Sequence, residues 1–369
     1  MRNKLLRNIE WAILIVSLIL LIIGIFALYS ATQSTEFAEF KKQIQWFLIS
    51  IPFIIIVSII DYNIIARFSP LLYFILIGLL IGVLFTEAIN GATSWYKIGE
   101  SFSLQPSELG KIIIVLFMAL ILSKLQLRGK REINKIWKVF IYIVLFALPI
   151  LLIVKQPDYV TAISYVFACL FMLFVSGIDK KYIIVSLLLI AIALPLLYIY
   201  VLPEHAKSRI EVYLNPDLDP RGAGYNIIQS KLAIGAGELF GMGLFKGNQT
   251  QLGFLSPKTT DFIFSVIGEE MGFIGASAVI ILYIILVTKS IYIAKTAKDN
   301  IGTYIAIGIS GIFFFHMLEN IGMTMGLLPI TGIPLPFVSY GGSSLITNFI
   351  CIGLLLNISS RRQKAIFVE

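Results

Sequence analysis

Apolar stretches long enough to cross a bilayer recur along the whole chain, and nothing else in it restricts the fold as much. A spanning helix needs about 20 apolar residues at roughly 1.5 Å each. Runs of that order fall near 11–30, 44–60, 68–86, 108–123, 137–154, 158–177, 182–201, 262–288, 301–325 and 340–358. The expectation is an all-α, polytopic integral membrane protein of about ten transmembrane helices, with a large, partly helical outer loop at 202–261 between spans seven and eight. With 58% of residues hydrophobic and 14% charged, no stretch reads as a soluble catalytic domain, so residues 1–369 are taken as one membrane domain.

Lysine and arginine set the expected orientation, because cytoplasmic loops near span ends carry an excess of them. One set of alternate segments holds Arg2, Lys4 and Arg7, Arg67, Arg128 to Lys138, Lys180 and Lys181, Lys295 and Lys298, and Arg361 to Lys364. The opposite short loops hold only Lys41, Lys42, Lys97 and Lys155. Both termini are expected in the cytoplasm, and segment 202–261 outside. The net charge of +8 then needs no nucleic acid to explain it. The basic start and the run from Trp11 to Tyr29 read as a retained first helix, since the run exceeds a usual signal-peptide core. Cys169 and Cys351 both fall inside spans and make no disulfide framework. His205 and His316 are the only histidines, which excludes a zinc site of HExxH type.

Charges at or inside spans are the candidates for chemistry, since an ionised side chain near the bilayer centre costs roughly 2.5 to 3.5 kcal/mol. Asp261 stands where the polar segment ending Ser256-Pro257-Lys258-Thr259-Thr260 meets the apolar Phe262-Ile263-Phe264. On a continuous helix it shares a face with Ser265, Gly268, Gly272 and Gly275. Close helix packing accounts for those glycines but not for the acid. Glu269 and Glu270, about 12 Å deeper along the same helix, are expected to pair with a lysine or arginine on another span.

Glu108 and Lys111 lie on one helix face, three residues apart, either as a structural pair or as organisers of a substrate site. Gln105-Pro106-Ser107-Glu108 and Gln156-Pro157-Asp158 echo each other, each opening a helix with proline and then an acid. Trp95 fits an interfacial aromatic belt as readily as a site. His316 and Asn320 share a face of the ninth span, where helix-to-helix hydrogen bonding is the plain reading. The last outer loop is uncharged and rich in proline, and ends Ser339-Tyr340-Gly341-Gly342-Ser343-Ser344 at the start of the final span. Backbone N–H groups there suit a phosphate or pyrophosphate, although a bare glycine-serine turn is more often a plain loop than an anion site. Residues 222–234 are amphipathic and too short to span, and are expected to form half-buried helix at the interface.

Taken in order, these segments closely resemble the SEDS family (shape, elongation, division and sporulation), and within it the RodA branch. The most specific blocks are Gly222-Ala223-Gly224-Tyr225 with Gln229-Ser230-Lys231, then Thr260-Asp261-Phe262-Ile263-Phe264 with Gly268-Glu269-Glu270. Asn320-Ile321-Gly322-Met323 and Gly332-Ile333-Pro334-Leu335-Pro336-Phe337 follow, then Ser339 to Ser344. The resemblance covers nearly the whole chain. Two departures stand out: Tyr159 and Val160 replace the family's Leu-Gly after Gln-Pro-Asp, and Ser94 stands where many members carry arginine.

The resemblance implies a peptidoglycan glycosyltransferase that polymerises lipid II at the outer face of the bacterial cytoplasmic membrane during elongation. An acceptor sugar hydroxyl attacks the donor's anomeric carbon, undecaprenyl pyrophosphate leaves, and the configuration inverts. Asp261 is the implied base. Lys111, Arg209, Arg221, Lys231 and the Gly341-Gly342 turn are implied contacts of the pyrophosphate, with a divalent cation, magnesium or manganese, as a further source of positive charge. The wider substrate-binding set takes in Trp95, Gln105, Ser107, Glu108, Asp158, Tyr225 and Gln229. It also includes His316, Asn320, Ser339, Tyr340, Ser343 and Ser344. Implied partners are a class B penicillin-binding protein transpeptidase and other membrane proteins of the elongation complex. A lipid II flippase or transporter is the alternative, since multi-span carriers also bury charges. A scaffold that only recruits a transpeptidase is a third.

Overall fold

A computed structural model describes residues 8–87, 93–98, 102–182, 184–185, 188, 199–200, 204–220 and 222–362. Helices α1 (Trp11–Ala31), α2 (Ala38–Ile59) and α3 (Tyr62–Val83) come first. A two-stranded antiparallel ribbon, β1 (Tyr96–Ile98) with β2 (Phe102–Leu104), leads into α4 (Pro106–Leu125). Next are α5 (Ile136–Lys155) and α6 (Tyr159–Val175), then α7 (Glu204–Leu214), α8 (Ala223–Ala236) and the short α9 (Asn248–Gln251). The chain closes with α10 (Ile263–Thr296), α11 (Asn300–Thr324) and α12 (Gly342–Ser360).

Seven of these, α1, α2, α3, α5, α10, α11 and α12, are long and apolar enough to cross a membrane. The expected spans at 108–123 and 158–177 are the charge-bearing α4 and the 17-residue α6. The expected span at 182–201 lies largely outside the described residues. Acids start several helices where free N–H groups need acceptors: Asp61 accepts from Asn63 N at 2.8 Å and Asp299 from Gly302 N at 2.8 Å. Helices α4, α11 and α12 are buried on nearly every side, polar residues included. Helix α12 packs along α2, and α11 along both α10 and α6.

The two ends of the bundle differ. At the basic end Glu10 binds Lys289 at 2.8 Å and Arg362 at 3.3 Å, joining the first, tenth and last helices. At the opposite end, the one expected outside from the lysine and arginine pattern, the segment carrying α7, α8 and α9 (the outer segment) folds onto the helices. Helix α8 is half-buried, as its amphipathic sequence predicts. It is fastened by Ser230, whose hydroxyl donates to Thr324 O at 2.6 Å and meets Ser265 Oγ at 2.7 Å.

Helix α10 is not continuous. Gly272 has φ +65° and ψ −165°, a conformation closed to residues with a side chain, and a Cβ there would lie 2.7 Å from Leu239 O. Residues 238–243 enter the break and take over the hydrogen bonds the helix loses. Met242 N donates to Glu269 O at 2.9 Å and Gly243 N to Glu270 O at 3.0 Å; Phe273 N donates to Glu238 O at 2.8 Å and Ile274 N to Leu239 O at 3.2 Å. The face expected to run from Asp261 to Gly275 therefore ends at Gly272. Residues 273–296 are about 36 Å long, enough to cross the membrane without the preceding half-helix.

The break overturns the expected setting of Glu269 and Glu270. Both lie beside the outer segment, not deep in the bundle. Glu269 accepts from Gln249 N at 2.7 Å, Thr250 N at 3.0 Å and Thr250 Oγ1 at 2.6 Å. Glu270 accepts from Ser30 Oγ at 2.5 Å, at the end of α1, and from Gln251 Nε2 at 3.2 Å. Among the described residues neither forms an ion pair with lysine or arginine. N–H and hydroxyl donors of the outer segment and, for Glu270, of Ser30 on α1 serve instead.

Candidate active site

The turn before α10 is held by its carbonyl groups. Thr259 O accepts from Tyr340 N at 2.9 Å, Thr260 O from Ser339 Oγ at 2.6 Å, and Asp261 O from Asn320 Nδ2 at 3.0 Å. Three successive residues are thus fixed to the last outer loop and α11, while the Asp261 side chain stays half-buried. Its carboxylate abuts Gly332, where φ is +76° and a Cβ would come within 3.2 Å of Oδ2. Burial raises the Asp261 pKa above the ordinary aspartate value; a hydrogen bond from Thr260 and the positive charge of Arg209 on α7 oppose that rise.

The loop facing Asp261 is gripped by one face of α11. His316 Nδ1 lies 3.1 Å from Pro334 O, Glu319 Oε1 accepts from Thr331 Oγ1 at 2.6 Å, and Asn320 Nδ2 donates to Ile333 O at 2.8 Å. Further along, Phe337 is fully buried at φ +67°, a strained conformation for a residue with a side chain. It is held there by packing on Phe313 and Phe349, by a Ser339 Oγ bond from Leu335 N at 2.8 Å, and by the Tyr283 hydroxyl on Pro336 O. Gln43 clamps the end of the loop, donating to Ser339 O at 3.0 Å and accepting from Gly341 N at 3.3 Å.

That clamp corrects one expectation. The Gly341 N–H assigned to an anion already has Gln43 as acceptor, and Gly342 packs against the Trp46 ring. Ser339 spends its hydroxyl on Thr260 and Leu335, Ser344 accepts from Asn348 Nδ2 at 3.2 Å, and Ser343 O accepts from Thr347. Tyr340 is half-buried beside them. These residues build the site's wall, and Ser339 and Gly341 have little hydrogen-bonding capacity left for a ligand.

Glu108 and Lys111 form the expected pair, 2.7 Å apart and both buried. Lys111 Nζ also lies 3.0 Å from His316 Nε2, which continues the chain into the loop. The two echoed helix starts meet: Gln105 Nε2 donates to Asp158 Oδ2 at 2.8 Å, Ser107 Oγ to the same oxygen at 3.3 Å, and Thr161 N to Oδ1 at 3.3 Å. Ser94 is buried and donates to Gln156 O at 3.2 Å, so the ribbon's approach is tied to the same junction. Trp95 is half-buried, its carbonyl accepting from Thr86.

On the outer segment Tyr225 and Gln229 are half-buried, Arg209 and Lys231 are exposed, and the Lys231 stem lies over Gly326. Arg221 lies outside the described residues. Among the described residues no cluster of three or more His, Cys, Asp or Glu side chains is arranged to hold a metal ion. A magnesium or manganese ion would depend on Asp261 together with oxygens of a substrate. Sequence reasoning missed Gln43, Glu319 and Thr331. Glu319 carried a signal, an acid inside the ninth span, whereas Gln43 and Thr331 carried none.

The family model described as "cell cycle protein", covering FtsW, RodA and SpoVE, matches residues 8–364. The chain is 35% identical over 363 residues to the peptidoglycan glycosyltransferase MrdB of Escherichia coli K12, covering 96% of this chain and 95% of that protein. A chain from a peptidoglycan synthase complex, described as coordinating polymerization and crosslinking, superposes with a TM-score of 0.81 at 24% identity, covering 95% of this chain and 97% of that one. The rod shape determining protein RodA of Thermus thermophilus superposes with a TM-score of 0.72 at 23% identity over 96% and 98% of the two chains. With its length matched almost end to end by that model, this chain belongs to the FtsW/RodA/SpoVE family of polytopic membrane proteins, the SEDS family.

Proposed function

We propose that Asp261 is the general base of this chain's glycosyl transfer. The chain is a peptidoglycan glycosyltransferase of cell elongation, the activity for which its MrdB and RodA relatives are named. In the proposed reaction a sugar hydroxyl of one lipid II attacks the anomeric carbon of another. Asp261 takes the hydroxyl proton, the new glycosidic bond forms with inversion, and undecaprenyl pyrophosphate leaves with the electron pair. A positioned base contributes typically 10²- to 10⁴-fold.

One observation carries this reading: the Asp261 main chain is fixed on both sides by hydrogen bonds while its carboxylate remains half-buried beside a glycine turn. Burial that raises its pKa makes it a stronger proton acceptor than a solvated aspartate. Among the cations assigned to the pyrophosphate, Lys111 is buried and already paired, which favours the exposed Arg209 and Lys231. The reading sets the reaction at the outer face of the cytoplasmic membrane, with both termini inside, and takes a class B penicillin-binding protein as partner.

Purified protein with fluorescent lipid II tests it. Asp261→Asn should fold and insert yet make no glycan chains. Polymerisation at the wild-type rate by that variant would overturn the assignment and favour transport or scaffolding. Running both proteins with and without magnesium or manganese reads the cation requirement.

A further inference from the structure

The buried chain Glu108–Lys111–His316 ends on Pro334 O, in the same loop whose Gly332 abuts the Asp261 carboxylate. Lysine ammonium only donates, so the His316 Nε2 at 3.0 Å must accept and carries no proton. A carbonyl only accepts, so the Nδ1 at 3.1 Å from Pro334 O must carry one. The two ends agree on one state: neutral imidazole with its proton on Nδ1. His316 is 1% exposed, so water does not offer either nitrogen an equal partner.

We propose that His316 is a positioning residue for the glycosyl transfer, a tautomer-locked link that fixes the Thr331–Pro334 loop against Asp261 and does not touch substrate. This rests on Asp261 being the base. Asn320 holds Ile333 O and Asp261 O with one amide, so a shift at Pro334 displaces the preceding carbonyl, that of Ile333, and with it the base. A misplacement of about 1 Å can cost as much as roughly 10²-fold in rate. The link also ties the base loop to α4, and so to the Gln105–Asp158 junction at that helix's start.

The chain has only two histidines, so His205→Gln leaves a single imidazole to observe. Nitrogen NMR of the histidine-labelled full-length protein in detergent should then show one neutral ring, protonated at Nδ1 and bare at Nε2. A ring protonated at Nε2, or an even mixture of tautomers, would overturn the proposal whatever Asp261 does. In the polymerisation assay His316→Leu should lower kcat at least about tenfold with KM for lipid II within about twofold. His316→Asn, whose amide can still donate toward Pro334 O, should recover most of that loss. Wild-type kcat in folded His316→Leu, a change confined to KM, or an asparagine variant as poor as leucine would each count against it. If the leucine variant does not fold, the NMR readout on the native ring still decides.

Discussion

Asp261 and Glu269 sit near opposite ends of one half-helix, both acids in an apolar setting, and they are treated oppositely. Glu269 gives both oxygens to three donors of the outer segment and is fully buried. Asp261 has its backbone held and its carboxylate left half-buried, with Thr260 and the more distant Arg209 charge for company. An acid whose lone pairs are all engaged by fixed donors holds structure together. One whose main chain is rigid and whose oxygens are under-used is ready to take a proton.

The sharpest way to break the contrast is to remove each charge in turn. Asp261→Asn should lower lipid II polymerisation by 10²-fold or more with little change in thermal unfolding. The paired acid Glu108 supplies a middle case: Glu108→Gln or Lys111→Met alone should each cost about 3 to 5 kcal/mol, and the double variant should recover much of that. Equal unfolding temperatures in the singles and the wild type would mean the buried pair is not holding the helices. Glu269→Gln should cost about 2 to 3 kcal/mol, because its amide NH₂ faces N–H donors, while activity per folded molecule stays near wild type. A rate loss there matching that of Asp261→Asn would erase the distinction.

The smallest effect concerns pH. Folding raises the Asp261 pKa, so the folded state binds the proton more tightly. That stabilisation is complete below the ordinary aspartate value of 3.8 and is lost as pH rises through the folded value. Asparagine has no such loss, so Asp261→Asn should gain on wild type in unfolding temperature as pH rises toward neutral. A gap that instead widens against the variant would show that the carboxylate is stabilising, like that of Glu269.

Much of this was written in local sequence. Hydrophobic runs located the helices, the spacing of Glu108 and Lys111 announced their pair, and the two Gln-Pro-acid starts proved to be neighbours, which an echo alone does not require. The break in α10 was not legible, because glycine is tolerated in membrane helices and nothing near Gly272 says that residues 238–243 will enter there. Missing it misplaced Glu269 and Glu270. The Gly341-Gly342 turn shows the same limit: the Gly341 N–H looks open in sequence until a side chain 298 residues away, Gln43, supplies its acceptor. Long-range hydrogen bonds decide which polar groups remain free, and a single chain read in order does not display them.

The entry of residues 238–243 into α10 has a practical meaning for anyone building chimaeras of such proteins. The outer segment shares backbone hydrogen bonds with a membrane helix, so a graft with a junction between Ala236 and Ile274 would cut one hydrogen-bonded unit in two. Donor and recipient should be joined outside that interval, with 237–274 exchanged whole, and an epitope or reporter inserted within 238–243 would unfasten a helix rather than decorate a loop.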